Sequence, residues 1–595
     1  MNLYDIDVHH PDRAHGAHGL LALFNAHGVL SPADVHVATQ IAALTGEERE
    51  AAVLAAALTV RAARAGSVCL DLAGLPSAAT AAEPGSPADG WDVPEEAWPD
   101  VDWRAHLASS PLVRAQPAAP LHLDGTRLYL TRYWNEETYV LDEVLKRVSE
   151  AELTDDARAS LAAYFPGAPY ADQREAAAIA ARSRLSILTG GPGTGKTTTI
   201  ARLLGVLYDA DPELRVALAA PTGKAAARMS EALAETVARA DFPPTHRDRI
   251  AGLPATTIHR LLAYSPRRGY GHDENHPVPY DVVIIDETSM VSLTLMARLL
   301  AGVPPQARLV LAGDAHQLAS VDVGVVLADL VEGLGGRGVN PVAELTATRR
   351  FGSHIRGLAD AIRRGEPEAA LPLLAAEAEG DLPAVTAEQL PRILLPVVRE
   401  MHDAGAAGDS RRALELARTQ QLLCAHRDGP YGMSTWNERI SALLEADVGR
   451  RLGEWFPGKP LLVTRNDYGL RLFNGDTAVV VRREGRLLAA FPDGPGVREI
   501  PLAQLSDIVA AYAITVHRAQ GSQFRRVYVL LPEHSSRVLT RELLYTALTR
   551  AQDTARVIGT RAVIEQAIAR RVERASGLAQ RLQRAGDPGG ERGAK

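Results

Sequence analysis

LSILTGGPGTGKTTTIARLL, residues 185–204, decides how the rest of the chain is read. It opens on a short apolar run, closes on a helix-forming run, and between them GGPGTGKT at 190–197 fits G-x-x-x-x-G-K-[ST]. Strand, glycine turn and helix in that order are the context a phosphate-binding loop requires. Backbone N–H groups of the turn and of the helix N-terminus can converge on phosphate oxygens. On this reading Gly190, Gly191, Pro192, Gly193, Thr194, Gly195, Lys196, Thr197 and Thr198 bind a nucleotide. Lys196 reaches the β- and γ-phosphates, and Thr197 holds magnesium.

Two later stretches repeat the form of an apolar strand ending in polar residues. VVIIDETSMV at 282–291 delivers Asp286 and Glu287 at a strand end, one suited to magnesium and the other to activating water. LVLAGDAHQL at 309–318 delivers Gln317, which can hydrogen-bond a γ-phosphate or its water, and Asp314, which orders the turn. Two adjacent acids favour hydrolysis over transfer to an acceptor. The implied cofactors are ATP and Mg2+.

Strands at Ser186–Thr189, Arg215–Ala219, Val282–Asp286 and Arg308–Ala312 make one parallel α/β set. A second set is expected at Gln421–Ala425, Pro460–Val463, Ala511–Thr515 and Val527–Leu531. Within it Gly475–Ile500 alternates like a small β-barrel, an insertion spanning about 470–505. Residues 1–150 form a separate, mainly helical unit, with helices over Pro32–Leu44 and Glu48–Ala65. Ser31-Pro32 reads as a helix start, and Ser67–Leu72 as a strand. Leu128–Trp134 is a strand or a buried helix edge whose aromatics belong to the core. Pro76–Asp100 reads as a loose connection, and 586–595 as a disordered tail.

Composition is that of an ordinary globular chain: of 595 residues, 46% are hydrophobic and 23% charged. No apolar run reaches the roughly 20 residues a membrane span needs. Met1–His10 lacks the pattern of a secretion signal, so the cytoplasm is expected. The two cysteines, Cys69 and Cys424, are too few for a zinc or iron–sulfur site. A net charge of −8 excludes a uniformly basic coat but leaves room for a locally positive groove.

The motifs, taken in order, resemble superfamily-one helicases, and most closely the RecD family. Gln173 in ADQREA matches the glutamine that reads the adenine edge. APTGKAA at 220–226, with Thr222 and Lys224, and TTIHRLL at 256–262, with His259, match motifs that touch single-stranded DNA. LTATRRF at 345–351 puts Arg350, or its neighbour Arg349, at a γ-phosphate arginine position. RNDYGLRLFNGD at 465–476 is close to a RecD-type signature. TVHRAQGSQF at 515–524, with Thr515 and His517, matches the motif that links DNA to the nucleotide, and YTALTRA at 545–551 puts Arg550 at the arginine finger.

The resemblance implies two RecA-like P-loop cores, at 165–355 and 356–585, with an SH3-like insertion in the second. It implies an ATP-dependent 5′→3′ DNA helicase. Lys224, His259 and His517 each keep a plainer alternative, as a solvated, helix-packing or turn residue. The segment 263–280 is either a hairpin pin that splits the duplex or a surface loop. The first 150 residues resemble the partner-docking domain of the subunit branch, whose members work with RecB-like and RecC-like proteins in a helicase–nuclease. A standalone helicase without partners is the alternative.

Overall fold

A computed structural model describes residues 13–75, 93, 97–114, 118–239, 242–346, 353–376, 386–467, 469–494, 496–534, 536 and 538–586. Most of the connection at 76–100, the tail beyond Gly586, and Arg349 and Arg350 lie outside these residues.

The first core is a six-stranded sheet in the order Ala255–Thr257, Val216–Ala220, Val282–Ile285, Arg308–Gly313, Leu185–Gly190, Val342–Leu345. All neighbours run parallel. Burial on both faces explains why its inner strands read as unbroken apolar runs. Leu188, Ile284 and Val310 pack on one face beneath the helix Lys196–Ala210, while Ile187, Ile285 and Leu311 pack on the other. The two edge strands, ATT and VAEL, were not expected from sequence, being short and only partly apolar.

Two helices from outside the expected core seal the second face. One is Thr131–Arg147, from the N-terminal unit; the other is Leu578–Gly586, at the end of the described chain. Val140, Val144, Leu578 and Leu582 join the core cluster of Ile285 and Leu311. Buried Arg147 donates to the carbonyls of Leu300 at 3.2 Å and Val303 at 2.8 Å. Fully buried Glu137 accepts from Ser576 Oγ and Gly577 N, each at 3.1 Å, and from Arg581 at 3.0 Å. The expected boundaries at 150 and 355 are therefore crossed twice. The N-terminal unit lends a helix to the first core, and the chain end returns to it from the second.

The N-terminal unit otherwise follows its sequence. Ser31 accepts from Asp34 N at 3.3 Å and Asp34 accepts from Ser31 N at 2.8 Å, a reciprocal cap for the helix Pro32–Thr45. Leu128–Trp134 divides between a strand, Arg127–Leu130, and the start of the helix Thr131–Arg147, with Tyr129 fully buried.

The second core is a four-stranded parallel sheet, Ala513–Thr515, Gln420–Cys424, Phe524–Leu530, Ala551–Ile558. Pro460–Val463, expected here, lies instead in a five-stranded antiparallel sheet with Thr477–Arg483, Arg486–Asp493, Gly496–Pro501 and Ile508–Ala510. The insertion thus runs from 460 to 510, wider than read from sequence. An apolar PLLV fits either sheet; its antiparallel partners Ala478 and Val509 settle the matter. The segment 263–280 forms no two-stranded hairpin: it is a compact loop with one antiparallel bridge, Ser265 to Gly269.

Candidate active site

The strand ends of the first core converge on a cleft of about 510 Å³ that the second core closes. Pro192, Gly193, Gly195, Lys196, Thr197, Thr198, Asp286, Glu287 and Gln317 line it from one side, Gly521, Gln523 and Arg550 from the other. Gly193 and Gly195 hold φ of 82° and 92°, the left-handed region open to glycine, and so turn the loop into the helix that begins at Lys196. The Lys196 ammonium donates to the carbonyls of Gly190 at 2.5 Å and Gly191 at 3.2 Å. Thr194 is buried and donates to Gly191 O at 2.8 Å, so its hydroxyl braces the loop rather than facing the cleft.

Gln173 packs beneath this loop. A Cβ at Gly195 would collide with its amide, and Nε2 donates to Thr194 O at 3.3 Å. Its Oε1 is buried with no protein partner, an acceptor suited to the amino edge of an adenine. Tyr170, stacked under the Arg202 guanidinium at 4.2 Å, lines the cleft.

Burial, reinforced by the charge of Glu287, pushes the Asp286 carboxyl up to about 6. Glu287 itself sits at φ 52°, an uncommon conformation for a side-chain-bearing residue. Two carboxylates in an enclosed cleft suit a hard dication. Among the described residues no group of three or more His, Cys, Asp or Glu could hold an ion alone. Asp286 and the Thr197 hydroxyl, both lining the cleft, are the oxygen donors that would hold magnesium.

Gln317 and Arg550 meet across the cleft. Arg550 donates to Gln317 Oε1 at 3.0 Å, and both are buried. Gln317 Nε2 donates to Asp314 Oδ2 at 3.1 Å, and the same oxygen accepts from Tyr545 of the second core at 3.0 Å. Leu318 N donates to Thr546 Oγ1 at 2.8 Å, and Gln520 Nε2 to Leu318 O at 2.9 Å. Tyr545, Thr546 and Gln520 were missed in the sequence. Their signal was their place inside the motifs of Arg550 and His517, on one side of the helix Arg541–Leu548 and in the turn before Gly521.

Thr222, Lys224, His259, Thr515 and His517 are the residues read as DNA contacts. Thr222 caps the helix Gly223–Arg239, accepting from Ala225 N at 3.2 Å. Lys224 is not an exposed loop lysine. It sits in the first turn of that helix and bridges to Gly475 O at 3.1 Å and Ser522 Oγ at 2.6 Å, tying the first core to the insertion and the second core. Burial brings its ammonium down to about 8. His259 packs against the paired rings of Tyr264 and Tyr270, with centroids 5.3 and 6.1 Å away, and burial lowers its pKa. Thr515 accepts from Arg518 N at 3.4 Å, and His517 is held neutral by burial and the nearby Arg574, down to about 4.

Fold and cleft together define the class: a two-core P-loop ATPase of the helicase type. Residues 26–129 match the family of the RecBCD enzyme subunit RecD N-terminal domain, 173–323 an AAA domain, and 510–558 the UvrD-like helicase C-terminal domain. The chain belongs to the RecD family. It is 47% identical over 569 residues to the RecBCD enzyme subunit RecD of Mycolicibacterium smegmatis, covering 94% of this chain and 98% of that one. The RecBCD enzyme subunit RecD of Mycobacterium tuberculosis is 45% identical over 599 residues, 98% of this chain and 100% of that one. The ATP-dependent RecD2 DNA helicase of Deinococcus radiodurans is 37% identical over 410 residues, 67% of this chain but 50% of that one.

Proposed function

We propose that the chain is an ATP-hydrolysing 5′→3′ DNA helicase and translocase, the alpha subunit of a RecBCD-type helicase–nuclease (exodeoxyribonuclease V). It would act in double-strand break repair by homologous recombination. RecB-like and RecC-like subunits are its partners, and the nuclease centre belongs to one of them. The observation behind the motor reading is the meeting of Gln317 and Arg550 from opposite cores over one cleft. The match along the whole length of RecD subunits, against half of the RecD2 helicase, favours the subunit over the standalone alternative.

The backbone from Gly190 to Thr198 binds the phosphates, with Gln173 on the adenine. Lys196 sits between the β- and γ-phosphates, where its positive charge offsets charge that builds in the transition state. Thr197 and Asp286 would hold magnesium, which neutralises phosphate charge and fixes phosphate geometry. Glu287 takes a proton from the attacking water. Gln317 orients that water, and Arg550, with Arg350, brings positive charge to the γ-phosphate as the cores close. Arginine fingers contribute on the order of 10³–10⁵-fold in comparable reactions. Closure and opening move the cores relative to each other, and DNA held by both is drawn along.

Single-stranded DNA runs past Thr222, His259, Thr515 and His517, and Lys224 acts there through its contacts with Gly475 and Ser522. The units are an N-terminal partner-docking domain to about 150, a first core over 165–355 and a second over 356–585. We read the inserted sheet as a small SH3-like barrel, since five short strands enclose one small core of Leu461, Val480, Phe491 and Ile500. The cytoplasm is its compartment, where reducing surroundings leave thiols such as the buried Cys69 and Cys424 unpaired. The test is Lys196→Gln. DNA-stimulated ATP hydrolysis and unwinding should both vanish while thermal unfolding stays as in the parent; retained unwinding refutes the assigned site.

A further inference from the structure

We infer that Tyr545, a second-core side chain outside the ATP-binding set, is a positioning residue that sets Gln317 and Arg550 through Asp314. The inference rests on the reading of the cleft as an ATP site.

The geometry starts with the Asp314 carboxylate, 1% exposed at the end of the strand Arg308–Gly313. Its Oδ1 accepts from His316 N at 3.0 Å, and its Oδ2 accepts from both Tyr545 and Gln317. A carboxylate can only accept, so the Gln317 amide must turn its nitrogen toward Asp314. That leaves its oxygen toward Arg550, where the hydrogen bond is found. Asp314 thus fixes which end of the Gln317 amide faces the cleft.

Tyr545 in turn fixes Asp314. Its ring is 4% exposed in the second core, and burial, with the Asp314 charge, raises its pKa far above the usual phenol, so the hydroxyl stays protonated and donates. A buried hydrogen bond to an ionised acceptor is among the stronger kinds. The hydroxyl also lies beside the phosphate loop: a Cβ at Gly191 would stand 2.8 Å from it, so the close approach needs glycine there. One second-core atom therefore bonds the turn that carries Gln317 and lies next to that loop. If the cores separate, the bonds from Tyr545 and Arg550 are lost and Gln317 keeps its bond to Asp314 without them. If they close, Gln317 and Arg550 are set together.

The experiment uses the full chain in its native assembly with saturating single-stranded DNA. Tyr545→Phe removes the hydroxyl and keeps the ring. We expect kcat for ATP hydrolysis to fall about tenfold, as for a lost hydrogen bond to a charged group. KM and the binding of a non-hydrolysable ATP analogue should stay within about twofold of the parent. In a Gln317→Ala background Tyr545→Phe should have no further effect, because its action passes through Gln317. Asp314→Asn should reproduce the kcat loss from the other side of the bond, and it supplies the same test if Tyr545→Phe folds poorly. An unchanged kcat, an equal fall in both backgrounds, or a fall explained by weaker nucleotide binding overturns the inference. Lys196→Gln, measured alongside, separates the two claims. Hydrolysis surviving there sinks the ATP-site reading itself, whereas a dead Lys196→Gln beside a fully active Tyr545→Phe sinks only the positioning role.

Discussion

In the first core, three neighbouring strands, Leu185–Gly190, Val282–Ile285 and Arg308–Gly313, each end at a residue group of the cleft. In the second core the parallel strands Gln420–Cys424, Ala513–Thr515 and Phe524–Leu530 make the same kind of sheet, yet no phosphate loop follows any of them. Its contribution comes instead from the helix Arg541–Leu548 and the residues just after it, with Tyr545, Thr546 and Arg550, and from the turn that carries Gln520, Gly521 and Gln523. On the proposed function, two sheets of one architecture divide the work, one to hold the nucleotide and the other to read how it is held. An asymmetric pair of this kind can turn a change at the γ-phosphate into a change in the distance between cores.

The division can be broken most sharply at its two ends. Lys196→Gln removes the binding core's charge and should leave no measurable DNA-stimulated hydrolysis. Arg550→Ala removes the reading core's charge. It should lower kcat by on the order of 10³-fold while a non-hydrolysable ATP analogue still binds, since the phosphate loop is untouched. Equal loss of binding in both variants would erase the distinction between holding and reading.

A smaller effect is expected where the helix Leu578–Gly586 packs on the first core. Leu582 is fully buried against the helix Val326–Leu334, beside Gly333. Leu582→Ala should cost about 2–5 kcal/mol of stability. Denaturant unfolding followed at the first core would report it, and an unchanged midpoint would mean the cores are joined only at the cleft.

The smallest effect is a dependence on acid. His517 has its folded pKa lowered to about 4, below the ordinary value of about 6.5. Between these values the unfolded chain binds a proton that the folded chain does not, so stability falls as pH drops from about 6.5 to about 4. The loss is at most about 3 kcal/mol, and His517→Asn should flatten it. An acid sensitivity identical in parent and variant would place the titrating group elsewhere.

The nucleotide half of this arrangement was readable because its chemistry sits where apolar strands stop, and a glycine or an acid marks each stop. The second half was less readable for physical reasons. PLLV at 460–463 looks the same whether its neighbours run parallel or antiparallel, and it lies in the antiparallel sheet, not the expected parallel one. Lys224 reads as a DNA contact, with a solvated lysine as the alternative, because nothing in PTGKAA foretells Gly475 and Ser522, some 250 to 300 residues on, closing over it. The helix Leu578–Gly586 is amphipathic in sequence, but the surface it covers is set by tertiary packing alone. Tyr545 was passed over because a tyrosine beside an arginine finger reads as core until the Asp314 carboxylate is found opposite its hydroxyl.

The central claim is that ATP hydrolysed between the two cores drives the protein along DNA in one direction. Its most direct test is unwinding of two duplexes, alike except for a 5′ or a 3′ single-stranded tail, by the isolated chain with ATP and magnesium. The account predicts unwinding of the 5′-tailed duplex, abolished by Lys196→Gln. Preferential unwinding of the 3′-tailed duplex would contradict it.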